Sequence, residues 1–298
     1  MARKISDILS EDKNINTNIS TVREDYKPIN RIGPSTKNEP KDGIVDVVDT
    51  RFYPNMYEVY RIFANKYNLD RENFILTNGC ENALRIALLA VKPELMLIEN
   101  PTWEMAKVIC SSFDIPFREI NYHFVQNKTF ALENIATINN KKTWLYTTDR
   151  YNNLFEHENY DKEKYKNVII DETYTLSNLL KNIEPEYRQF DKNEIIIGSF
   201  SKFFGCGLRL GYILFDKSWN NKMQLLREQY ISSMAAKFII EFPAINKQKI
   251  LNSINVKYEY PIVSQHSCYT TVAIENEISI VPHKEFVVDN KRFMRIGV

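Results

Sequence analysis

From Ile195 to Tyr212 the chain reads I-I-I-G-S-F-S-K-F-F-G-C-G-L-R-L-G-Y, an apolar strand running into two serines, Lys202, a glycine-rich turn and Arg209. A lysine at the mouth of a buried strand is costly as a cation unless it is neutralised or used. Desolvation lowers the pKa of such an amine, and the neutral amine is what attacks an aldehyde to form a Schiff base. Taken alone, Ser-x-Ser-Lys reads more simply as a surface lysine at a strand end. Upstream, Asn167 to Tyr174 reads N-V-I-I-D-E-T-Y and ends an apolar strand on Asp171. The C-terminal edge of a parallel strand is where open α/β sheets place their ligands. A carboxylate there can keep a pyridine nitrogen protonated, so that the ring accepts electrons from a substrate Cα. By itself Asp171 is as readily the N-cap of the following turn. Together the two segments describe an amine nucleophile and the anchor of an electron sink.

These residues need a scaffold, and the pattern around them supplies one. From Asn73 onward short apolar runs alternate with amphipathic stretches: Phe74–Thr77, a helix over Glu81–Val91, then Leu95–Glu99. Further strands are predicted at Thr143–Thr147, Asn167–Asp171, Glu194–Gly198 and Gly211–Phe215, with one long helix over Ser218–Phe238. Such alternation implies an α/β domain on a mostly parallel sheet. Tyr269–Ile274 and Ile278–Val281 are candidate strands of a smaller α+β lobe. The first 45 residues, with Pro28, Pro34 and Pro40, read as an arm that settles on another surface. The expected division is an arm over 1–45, a large domain over 46–245 and a reduced small domain over 246–298.

Composition narrows the partners. The chain has 298 residues, 44% of them hydrophobic, enough for a large domain with a smaller lobe. With 39 basic and 38 acidic residues the formal charge is +1, which gives no footprint for nucleic acid or an anionic membrane. No apolar run approaches the roughly 20 residues that span a bilayer. Cys80, Cys110, Cys206 and Cys268 form no C-x-x-C pair, and His123, His157, His266 and His283 have no metal-ligand spacing, so neither a disulfide framework nor a metal is expected. A cytoplasmic protein fits this usage.

The motifs in order, over roughly residues 50 to 215, resemble the fold-type I pyridoxal-5′-phosphate (PLP) enzymes, specifically the class I/II aminotransferases that include histidinol-phosphate aminotransferase and threonine-phosphate decarboxylase. The resemblance implies a three-layer PLP-transferase large domain with PLP bound to Lys202. It makes Asp171 the partner of the pyridine nitrogen and Tyr174 that of the phenolic oxygen. Ser199, Ser201 and Arg209 become phosphate ligands, chemically suited to a dianion. In I-L-T-N-G-C-E-N, Gly79 opens a helix whose amides at Cys80 and Glu81 receive the phosphate. Trp103, in N-P-T-W-E-M, takes the place of the aromatic residue that stacks on the cofactor ring. Tyr53, in R-F-Y-P, matches a tyrosine that reaches the neighbouring subunit's phosphate, which implies a homodimer with a shared site. Arg295, in R-F-M-R-I, matches the arginine that binds the substrate α-carboxylate, with Arg292 as the alternative.

Three departures accompany the likeness. The family's Asn-Pro-x-Asn-Pro-Thr-Gly loop is reduced to D-R-Y-N-N-L-F, where Asn153 is the better match and Asn152 its neighbour. Lys202 and Arg209 stand one residue closer than the family's spacing. The lobe after residue 245 is pared down, implying an open site for a large substrate or one held by a partner protein. The expected activity is transamination between an amino acid, phosphorylated ones included, and a keto acceptor. The alternatives are a PLP-dependent decarboxylase of amino acids or their phosphates, and a non-catalytic PLP-fold binding subunit.

Overall fold

The computed structural model describes residues 53–125, 129–132, 142–149, 155, 157–158, 160–180, 190–204, 206–241, 262–266, 269–273, 283–288 and 291–297. The chain forms two compact units, Met1–Arg31 and Ile32–Val298. The first unit, like the whole arm expected over 1–45, lies outside the described residues, and everything below concerns the second.

Eight strands form one sheet: β1 (Phe74–Thr77), β2 (Leu95–Asn100), β3 (Phe117–Val125), β4 (Thr129–Leu132), β5 (Thr143–Thr148), β6 (Val168–Asp171), β7 (Glu194–Ser199) and β8 (Gly211–Phe215). Their order is β1-β8-β7-β6-β5-β2-β3-β4. Pairings from β3 through β2, β5 and β6 to β7 are parallel. At one side β8 lies antiparallel between β7 and β1, and at the other β4 lies antiparallel on β3. The expected mostly parallel sheet is therefore present, and its antiparallel strands sit toward the two edges.

Parallel strands covered on both faces read as continuous apolar runs, and Val168-Ile169-Ile170 and Ile195-Ile196-Ile197 do so. Side chains alternate between faces along each strand. Leu97, Leu145, Ile170 and Ile196 join one core with helices α1 (Met56–Tyr67) and α7 (Ser233–Glu241). Ile98, Tyr146, Ile169 and Ile197 join the other with helices α2 (Cys80–Val91), α3 (Met105–Ser112) and α6 (Asn220–Leu226). Helix, sheet and helix make the three layers. Short helices α4 (Ser177–Leu180) and α5 (Ser201–Phe204) follow β6 and β7 directly and place the segments that carry Tyr174 and Lys202.

The long helix expected over Ser218–Phe238 is a correction. Asp216 caps a 3-10 turn at Lys217–Trp219, α6 ends at Leu226, and Arg227 turns to extended backbone at φ −64°, ψ 151°. The break lets the Arg227 guanidinium lie over the Tyr60 ring at 5.3 Å and buries Ile231. Ser232 then starts α7, its Oγ accepting from the Ala235 amide at 3.1 Å. A second sheet, order β11-β12-β10-β9, is antiparallel and built from β9 (Ile262–His266), β10 (Tyr269–Ala273), β11 (His283–Val288) and β12 (Lys291–Gly297). β10 matches the expected strand at Tyr269–Ile274, whereas Ile278–Val281 lies outside the described residues.

Candidate active site

β6 delivers Asp171 to the C-terminal edge of the parallel strands, fully enclosed. Its Oδ2 accepts the Tyr146 hydroxyl at 2.8 Å and the Cys80 thiol at 3.4 Å, and its Oδ1 accepts the Thr173 amide at 2.9 Å. Burial raises the Asp171 carboxyl above its ordinary range, and the bonds from Thr173, Tyr146 and Cys80 pull it back. Burial also pushes the Cys80 thiol well up, reinforced by the Asp171 charge. Sequence reasoning missed Tyr146. Its only signal is parity, since it shares the face of Asp171 once β5 and β6 are in register.

Two strands of the sheet bring the lysine segment beside the acid. Lys202 sits in α5, half-buried, and its Nζ lies 5.3 Å from the centroid of the Tyr174 ring. Ser199 and Ser201 face each other, Oγ to Oγ 2.8 Å, and the Ser199 hydroxyl also reaches the Leu210 carbonyl at 3.2 Å. Glu172, next to Asp171, is a buried brace. Its carboxylate accepts the Tyr212 hydroxyl at 2.6 Å and the Asn178 and Leu179 amides at 2.6 and 3.1 Å, which joins β8 to the start of α4. Burial lifts this carboxyl to about 7, against the downward pull of the Tyr212 bond.

The turn into α2 forms the other wall. Gly79, at φ 92°, precedes the first residues of the helix, Cys80 and Glu81, so unpaired amides of the first turn open onto this end of the sheet. Arg209 approaches from β8, where the short link from Lys202 is taken up by a left-handed backbone, φ 51°. Its Nη2 donates to the Asn78 carbonyl at 2.8 Å. Glu228 holds the same turn from outside, accepting from Asn78 and Asn82 side chains. Glu81 pairs with Arg85 at 3.0 Å.

Trp103 is half-buried and packs on the core face that holds Tyr146. Tyr53 is 78% exposed and its ring stacks on Tyr230 at 4.3 Å. Asn152, Asn153 and Gly205 lie outside the described residues. Arg295 is placed on β12 opposite Thr271 and Lys284, and Arg292 opposite Val287. Among the described residues no cluster of histidine, cysteine or acids could hold a metal.

The motif order and this geometry meet in a family model for class I and II aminotransferases that matches residues 49–257. The chain belongs to that family. Three solved structures share the fold of this class I/II aminotransferase family member. A substrate-bound BacF structure from Bacillus subtilis is 12% identical, with 100% of this chain and 93% of that chain covered at a TM-score of 0.58. The histidinol-phosphate aminotransferase of Clostridium acetobutylicum is 16% identical over 76% of this chain and 75% of its own, TM-score 0.54. L-threonine-O-3-phosphate decarboxylase from Porphyromonas gingivalis is 14% identical over 76% and 74%, TM-score 0.54. No curated protein matches the sequence.

PLP is the cofactor of this aminotransferase family member, and the residues present fit it. A buried carboxylate faces the edge of the sheet beside an amine, and the α2 N-terminus and Arg209 offer donors to an anion.

Proposed function

We propose that the chain is a PLP-dependent aminotransferase. It exchanges the amino group of an amino acid, phosphorylated ones included, for the oxygen of a keto acceptor. What carries this reading is the approach of Lys202 and Tyr174 beside the buried Asp171, from two strands that sequence had linked only by motif.

When bound, PLP supplies an aldehyde for amines and a ring that takes up electrons from the substrate Cα. Lys202 Nζ would hold the cofactor through its aldehyde, and as a free amine it would be placed to move the proton at the substrate Cα. Asp171 keeps a proton on the pyridine nitrogen, while Tyr146, Cys80 and Thr173 fix the orientation of its carboxylate. Tyr174 donates to the phenolic oxygen. Trp103 covers the ring and excludes water from it. The amides of Cys80 and Glu81, the hydroxyls of Ser199 and Ser201 and the Arg209 guanidinium hold the phosphate at the head of α2. Asn153 completes the contacts of the ring, and Arg295 grips the α-carboxylate.

The protein acts as a homodimer in which Tyr53 completes the neighbour's phosphate site, a reading supported by the exposure of that ring. Residues 246–298 form the reduced small domain, of which the antiparallel sheet is the framework. A reducing cytoplasm is supported by Cys80 and Cys110, both free thiols. No described helix is long and apolar enough to cross a membrane.

The test is the visible spectrum of the protein with PLP, beside Lys202→Ala, during titration with glutamate and phosphorylated amino acids. A Lys202-dependent band that bleaches to the pyridoxamine form with release of a keto acid is the expected result. Release of carbon dioxide with the band intact would make the protein a decarboxylase. No Lys202-dependent band would make it a non-catalytic member of the fold.

A further inference from the structure

Glu99, near the C-terminal end of β2, is completely buried and has no salt-bridge partner among the described residues. Five donors surround its carboxylate. Oε1 accepts the hydroxyls of Thr102 and Thr148, each at 2.8 Å. Oε2 accepts the Tyr122 hydroxyl at 2.6 Å, the Thr147 hydroxyl at 2.7 Å and the Thr148 amide at 3.0 Å. The donors come from three directions. Thr102 precedes Trp103, Tyr122 belongs to β3, and Thr147 and Thr148 end β5 beside the site. Thr148 stands opposite Asp171 in the sheet register, and the next amide, that of Asp149, donates to the Asp171 carbonyl at 2.9 Å. One carboxylate therefore ties the Trp103 segment to the strand end that carries Asp171.

The network extends one step further. Thr148 Oγ1 also lies 2.8 Å from Nε2 of the buried His157, so this hydroxyl bridges the Glu99 carboxylate and the imidazole ring. His157 Nδ1 donates to the Glu158 carbonyl at 2.7 Å, because a carbonyl only accepts, and this fixes the ring. Burial and the Glu99 charge push the Tyr122 phenol well up, which keeps it a donor.

We propose that Glu99, coupled through Thr148 to His157, is a positioning residue for the reaction, holding Trp103 and the Asp171 strand end at a fixed separation around the cofactor. This role rests on the functional reading above. Fixing groups around a reacting centre is worth large factors, and a 1 Å misplacement can cost on the order of 10²-fold. Thr148 acts through Glu99 and His157 and touches no reacting atom.

The experiment compares wild type with Glu99→Gln and Thr148→Val in the full chain. It reads two quantities: PLP affinity from the Lys202-dependent band, and quenching of Trp103 fluorescence by PLP with Trp103→Phe as reference. Expected are cooperative melting in Thr148→Val and, in both variants, PLP affinity lowered by at least about tenfold with weaker Trp103 quenching. Wild-type affinity and quenching in both variants, beside a normal Lys202-dependent band in wild type, would overturn the positioning role alone. If Glu99→Gln fails to fold, Thr148→Val and Tyr122→Phe decide. If wild type itself shows no Lys202-dependent band, the functional reading falls and the positioning role falls with it.

Discussion

The Arg209 guanidinium is packed against the Cα of Gly79: a methyl group built there would lie 2.7 Å from Nη2 and 3.1 Å from Cζ. Gly79 also has φ 92°, which side-chain-bearing residues rarely adopt. Backbone freedom and close approach are thus required at the same position, at the turn where β1 passes into α2. Gly79→Ala is expected to lower stability by about 1–3 kcal/mol through strain and to weaken PLP binding by moving Arg209. Denaturant unfolding and PLP titration measure the two effects. In the Gly79→Ala/Arg209→Ala double variant the stability losses should be less than additive, because the clash is gone. Additive losses would place the strain in the backbone alone.

Asp171 differs from a surface acid in having its lone pairs already directed. Asp171→Asn keeps an acceptor for the Thr173 amide but presents a neutral amide to the ring nitrogen. Its kcat/KM is expected to fall on the order of 10²–10³-fold, with melting little changed. Tyr146→Phe leaves the charge in place and should cost less. Full turnover by Asp171→Asn would remove the acid from the mechanism.

How much of this was legible beforehand follows from what patterns can carry. Apolar runs such as Ile195-Ile196-Ile197 declare buried strands, and the acid and lysine that terminate them stand out because charge is costly there. β3, F-R-E-I-N-Y-H-F-V, mixes charges into its alternation and gave no such signal. The break at Arg227 was hidden because α6 and α7 each continue an amphipathic pattern, and only the packing of Tyr60 and Ile231 separates them. Partnerships between strands were out of reach. Tyr146 and Asp171 are 25 positions apart, and Glu99 and Thr148 are 49 apart. Each pair meets only when the order β6-β5-β2 exists.

Glu172 should make stability fall with pH. Burial raises its carboxyl from 4.5 in the unfolded chain to about 7 in the fold. Between those values the folded state holds a proton that the unfolded state has released, so the stabilising contribution is complete below about 4.5 and is lost as pH rises through about 7. The total is on the order of 3 kcal/mol. Urea unfolding of wild type and Glu172→Gln at several values across this window isolates the residue, since other groups cancel in the difference. Wild type should lose ground to the glutamine variant as pH rises. Tyr212→Phe removes a bond that favours the carboxylate, so the window should move upward. A difference curve that is flat, or that slopes the other way, would show Glu172 ionised throughout.

The stacked pair of Tyr53 and Tyr230, with planes 18° apart, leaves a large aromatic surface in solvent at one end of α1. Exposed aromatics of this size are typical of surfaces that another protein covers. If Tyr53 completes the phosphate site of a second subunit, Tyr53→Ala and Lys202→Ala damage different halves of one site. Each variant alone should be inactive or nearly so. Co-expressed in equal amounts they form mixed dimers in which one of the two sites is intact, so roughly a quarter of the wild-type rate should return, as twofold symmetry requires. A rate equal to the sum of the parents would mean that Tyr53 works within its own subunit or not at all. Tyr230 adds a control: Tyr230→Ala frees the Tyr53 ring without removing it, and in the dimer reading it should weaken PLP binding while Lys202 still forms its band.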